Sequence, residues 1–169
     1  AVQSITFEGT SVGNDPTAIT LPSNIVSDKT KHGTGNSFKV VVTSSTEIIT
    51  LTIPVTLVTA EILSAADFAM VQIASTSSAI YGYYVLTADI TGGITAGGGG
   101  RMQPTDDGVN GFRGTFDGRG HTINSNSLGG GLFCALGRGA VIKNTTFTCN
   151  SIAQNGWASF LACYAIGAK

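Results

Sequence analysis

Asp117 and His121 stand four residues apart in Phe116-Asp117-Gly118-Arg119-Gly120-His121-Thr122, a carboxylate and an imidazole close enough in sequence to form a general acid–base pair. In a glycine-punctuated turn their ordinary roles differ: the aspartate bonds the backbone of its own turn, and the imidazole lies on a strand face. Asp106-Asp107-Gly108, with Asn110 nearby, offers oxygen ligands to Ca²⁺ but lacks the D-x-[DN]-x-[DN]-G spacing, and reads as a solvated loop. Gly97 to Gly100 carries no Lys-Ser/Thr ending and is not framed as a phosphate loop, so it reads as flexible connection.

Asn144-Thr145-Thr146 is a formal N-glycosylation sequon, although an asparagine at a chain corner explains it equally well. Tyr81, Tyr83, Tyr84 and Trp157 could stack on sugar rings if exposed, whereas such residues more often fill a core or a domain junction. Cys134, Cys149 and Cys163 are spaced by 15 and 14 residues, which forms no C-x-x-C metal clip, and the chain has only 2 histidines. Buried thiols, with at most one disulfide among the three, are the simpler expectation. The residues therefore predict no catalytic set, no metal site and no cofactor.

The elements that must hold these residues are foreshadowed by composition. Charged residues are 11% of the chain against roughly 25% in an average soluble domain, and 23 glycines accompany abundant Thr and Ser. Strands can present hydroxyls to water, whereas helical surfaces usually rely on Glu, Lys and Arg, so the balance predicts β-structure. A net charge of −1 supplies no basic field for phosphates, which argues against nucleic acid as a partner. The apolar runs, such as Val40-Val41-Val42 and Ile53 to Val58, fall far short of the roughly 20 residues of a membrane-crossing helix, so no membrane insertion is expected.

Val2 to Phe7, Ala18 to Ile25, Phe38 to Thr43 and Glu47 to Val58 read as strands separated by turn clusters at residues 13–16 and 31–36. Alternation in Phe38, Val40, Val42 and in Ile49, Leu51, Ile53, Val55 turns one face inward. Ser64 and Asp67 have capping-box spacing before an apolar run, which predicts a helix from Ala65 to about Ile73 whose Phe68, Val71 and Met70 cover what lies next to it. From Gly111 to Asn144 short apolar triplets alternate with Gly and Asn corners, the pattern of stacked coils that bury their side chains only against neighbouring coils. Leu132-Phe133-Cys134-Ala135-Leu136 aligns with Phe160-Leu161-Ala162-Cys163-Tyr164 at an offset of 28 residues, within the range of solenoid repeats.

Val2 to Phe7 and the strand near Ile53-Pro54-Val55 resemble the Ig-like domains of bacterial surface and phage structural proteins. The segments YYVLTADI, GTFDGRGHTI, GLFCAL and GAVIKN, spread over residues 81–150, are similar to GLUG-type β-helix repeats of bacterial adhesins. The resemblance implies an all-β chain: a small Ig-like β-sandwich over 1–58, a linker with a short capping helix over 59–78, and the start of a parallel β-helix over 79–169. It further implies a structural or adhesive module of an extracellular surface, filament or virion, with surface glycans as candidate ligands. The alternatives are the N-terminal part of a β-helix polysaccharide-degrading enzyme and a carbohydrate-binding module. An unfinished coil stack would expose apolar positions and backbone groups, so the remainder of a longer chain or another subunit is expected to cover its end.

Overall fold

Alternating side chains in the first third of the chain build one antiparallel sheet. β1 (Val2–Phe7) turns through Glu8 and Gly9 into β2 (Thr10–Gly13), and both turn residues adopt positive φ (45° and 79°), as a two-residue hairpin demands. β3 (Gly33–Thr43) and β4 (Ile48–Leu57) complete the spatial order β2-β1-β3-β4. In this computed structural model residues 1–72, 81–94, 111–128, 130–152 and 159–169 are described, with backbone alone at 70, 72, 134, 163 and 164. The chain divides into two compact units, Ala1–Leu57 and Val58–Lys169.

Pairing sets Phe7 beside Phe38 and Ile53, and Ile5 beside Val40 and Leu51, so these side chains share one face of the first unit's sheet. Ile5 and Phe7 are fully buried, and the Phe7 and Phe38 rings meet edge-on with centroids 5.0 Å apart. Residues Ala18 to Ile25, expected as a strand, instead lead into α1 (Ser23–Ser27), a single helical turn that follows Pro22 and buries Ile25. Pro22 supplies no N–H for a ladder and stands at the N-cap, directly before the helical turn, which is why the β-rich run does not form a strand here. The described residues of this unit hold one sheet, whereas a sandwich requires two.

Among the described residues of the second unit every strand pairing is parallel. β5 (Ala60–Ile62), in the stretch read as a linker, is already a ladder strand beside β6 (Tyr83–Leu86). β7 (Ile90–Thr91), β8 (Thr115–Asp117), β9 (Thr122–Leu128), β10 (Phe133–Leu136), β11 (Val141–Lys143), β12 (Thr146–Ile152) and β13 (Ala162–Ala165) follow. They form three parallel sheets, β11-β8-β6-β5, β12-β9-β7 and β10-β13. From β8 onward the chain visits these sheets in a fixed cycle and then repeats it one layer higher.

Tyr84, Phe116 and Ile142 are stacked in register on one sheet, and Ile90, Ile123 and Phe147 on another. Phe133 lies opposite Ala162, a step of 29 residues, not the 28 expected from aligning the two apolar strings. The hydrogen bonds Leu132 N–H to Phe160 O (3.0 Å) and Phe133 N–H to Leu161 O (2.8 Å) fix that register.

At one end of the stack α2 (Ala65–Gln72) closes the interior. Ser64 Oγ accepts from Asp67 N–H (3.2 Å) and donates to the Asp67 carboxylate (2.8 Å), so the capping box forms as its spacing predicts. Phe68 and Val71 of this helix are buried, and the Phe68 ring sits edge-on to Phe116 (5.6 Å) and Phe133 (5.5 Å). Met70, the third covering side chain expected, lies outside the described side chains. At the opposite end Ile142, Phe147, Leu161, Ala165 and Ala168 line an open, mainly apolar hollow of about 430 Å³. Ile123 is fully buried while Phe147, one layer above it, is only partly so: each layer is shielded by the next.

Candidate functional site

The polar groups of the second unit gather where β8 and β11 end and the chain turns toward β9 and β12. Gly118 N–H donates to Lys143 O (2.9 Å) and Gly120 N–H to Asn144 O (2.7 Å), so one corner is laid directly on the next. A Cβ at Gly118 would stand 2.2 Å from Thr145 Cβ and 2.6 Å from Asn144 O, which leaves glycine as the residue that permits this approach. Asn144 adopts φ 53°, a left-handed conformation that asparagine tolerates better than most residues.

Asp117 is the centre of this corner. Its Oδ2 accepts from the Tyr83 hydroxyl at 2.8 Å, and its Oδ1 accepts from Asn144 Nδ2 at 3.0 Å and from Arg119 N–H at 3.1 Å. Lys143 Nζ lies 3.3 Å from Oδ2 and 5.4 Å from the centre of the Tyr83 ring. Burial pushes the Asp117 carboxyl upward, but the donors Asn144, Tyr83 and Arg119 and the Lys143 charge outweigh it and bring its pKa down to about 2. Lys143 is raised in turn, by its contact with the Tyr83 hydroxyl and then by Asp117. At neutral pH this is a charged carboxylate whose oxygens are both occupied, an arrangement suited to pinning coils together.

His121 has a different partner. Its Nδ1 lies 3.1 Å from Asp89 Oδ1, which also accepts Thr122 N–H at 2.8 Å. The Thr122 amide, followed by His121, lowers the Asp89 pKa. The Asp117–His121 pair considered from sequence is therefore divided between two clusters: the aspartate binds its own turn, as its residue type suggests, together with the layers on either side. His121 O accepts Thr146 N–H and Thr145 Oγ1, each at 3.2 Å, and so joins the same stack of corners.

Of the aromatic candidates, Tyr83 and Tyr84 are buried, and Tyr81 has the Arg113 guanidinium 5.4 Å from its ring centre. Arg113 Nη1 donates to the Tyr81 hydroxyl at 3.0 Å, and Arg113 Nε bonds Arg138 O at 3.4 Å. Trp157, Gly97 to Gly100 and Asp106-Asp107-Gly108 lie outside the described residues. The Asn144 amide nitrogen, the atom a glycan would need, donates a hydrogen bond to Asp117 Oδ1. Cys149 is a half-buried free thiol, and the side chains of Cys134 and Cys163 lie outside the described set. Among the described residues no three His, Cys, Asp or Glu side chains group as a metal site.

The Tyr83–Asp117–Lys143–Asn144 cluster was not anticipated from sequence, because its members come from three coils. The usable signal was the layering of Phe116-Asp117-Gly118 under Ile142-Lys143-Asn144, which places opposite charges side by side. Compared with protein-family models, curated proteins and solved structures, the chain gives no match.

Proposed function

We propose that this chain is a non-enzymatic structural or adhesive module displayed outside a cell or on a virion, with an Ig-like sheet unit preceding the start of a parallel β-helix. The observation that carries the reading is the engagement of the charged corner residues with one another: Asp117, Lys143, Tyr83 and Asn144 satisfy each other across three layers. Such side chains stiffen a scaffold, whereas a reacting centre holds groups in reserve for a substrate. The cyclic order of the parallel sheets supports the β-helix part, and the sparse charge with hydroxyl-rich strands suits a display surface. On this reading the hollow beside Ile142, Phe147 and Leu161 is covered in the assembled structure by further coils or another subunit.

The test is immunogold labelling of intact source cells or particles with antibody raised against the purified chain. Labelling of the outer surface without permeabilisation is the expected result. Label that appears only after permeabilisation would overturn the reading.

A further inference from the structure

We infer that β4 is a self-association edge, at which a second copy of this chain adds its own β4 antiparallel across a two-fold axis centred on Thr50. β4 is the last strand in the order β2-β1-β3-β4, so one of its sides has no partner within the sheet. Which residues face that side follows from β3. Thr43 N–H donates to Ala1 O at 3.0 Å, and Ser37 N–H to the Glu8 carboxylate at 2.8 Å, so the odd residues of β3 point toward β1. Backbone groups alternate sides along a strand, so Phe38, Val40 and Val42 bond to β4 through Ile53, Leu51 and Ile49. Ile48, Thr50, Thr52 and Pro54 therefore direct their backbone to the open edge.

That edge lacks most of the protection natural edges carry. No charged residue occurs from Ile48 to Leu57, and Ile48 (74% exposed), Ile49 (46%), Leu51 (49%) and Ile53 (46%) all reach solvent. The one blunting feature is Pro54, which offers no N–H, and it selects the register. With the axis at Thr50, Thr50 pairs with its own copy and Ile48 with Thr52. Pro54 then falls opposite Thr46, before the start of β4, where no donor is required. An axis at Thr52 would set Pro54 against Thr50 and lose a bond. The Thr50 register also places Ile49 against Leu51 of the copy, so the two half-exposed apolar stripes meet in one continuous face. A two-fold contact of this kind is self-complementary and closed, and yields a dimer with an eight-stranded sheet. The inference is independent of the proposed surface role.

Analytical ultracentrifugation of the purified chain across a concentration series tests it, with Thr50→Pro and Thr50→Lys as variants. Thr50 is exposed, and its backbone N–H faces away from β3, so neither change removes a bond within one copy. A reversible dimer is expected for the parent chain, weakened at least about tenfold in both variants, by loss of the central donor in one and by like charges on the axis in the other. A parent chain that stays monomeric at the highest concentration, or variants that dimerise as the parent does, would overturn it. Retained β-sheet circular dichroism confirms that a monomeric variant is folded; if Thr50→Pro unfolds, Thr50→Lys alone decides the outcome.

Discussion

Phe116→Ala is expected to lower the unfolding free energy of the second unit by about 3–5 kcal/mol, read as a fall in the midpoint of its urea transition. Phe116 has no exposed surface and touches rings of the covering helix, of its own layer and of the next: Phe68 of α2 at 5.6 Å, Phe133 at 6.2 Å and Phe147 at 6.5 Å. Truncation removes the apolar contact and leaves a cavity bordered by strands that are tied to their neighbours in register, so the walls cannot collapse freely. A loss of this size consumes much of the roughly 5–15 kcal/mol that holds an ordinary domain together. Phe147→Ala provides an internal comparison. It removes the same ring from the outermost layer, where the side chain is only partly buried, and should cost clearly less. Equal losses at the two positions would mean that the layers do not shield one another.

Asp117→Asn is expected to destabilise the second unit by about 2–3 kcal/mol near neutral pH, with the difference from the parent vanishing in acid. Asparagine keeps the shape but loses the charge that faces Lys143, and its NH₂ group would confront either the Tyr83 hydroxyl or the donors Asn144 and Arg119 N–H. The carboxyl has a pKa of about 2 when folded, against about 3.9 in an unfolded chain, so the folded state binds that proton more weakly. Its contribution is therefore fully present above about pH 4 and is lost as pH falls from there through about 2. Urea midpoints of parent and variant measured across that interval check the sign. A gap that persists undiminished at the acid end would show that the carboxylate is not the stabilising group.

The coil stack was legible because its corners need residues that few other structures tolerate. Gly118, Gly120 and Asn144 mark the turns, and Phe116, Ile123, Ile142 and Phe147 between them are the stacked positions. The covering helix was legible from Ser64 and Asp67 because a capping box is a local device, complete within four residues. Register was not legible to the last residue. Leu132-Phe133 and Phe160-Leu161 each offer two adjacent large apolar side chains, so string alignment cannot separate a step of 28 from one of 29, and backbone hydrogen bonds decide it. The strand expected over Ala18 to Ile25 failed because reading a β-rich run between turns ignores Pro22, which supplies no ladder N–H and precedes the helical turn that buries Ile25. The Asp117 cluster stayed hidden for a related reason: Tyr83, Asp117 and Lys143 meet only after three layers are superposed.

The central claim is that residues from β6 onward form parallel layers, each buried by the next. Nuclear magnetic resonance of the isotope-labelled chain tests it most directly, through short-range backbone contacts between distant residues. The account predicts contacts linking Phe116 to Ile142, Ile123 to Phe147 and Phe133 to Ala162, all in parallel register. Spectra in which these pairs are silent, or in which β9 and β12 show antiparallel contacts, would contradict it.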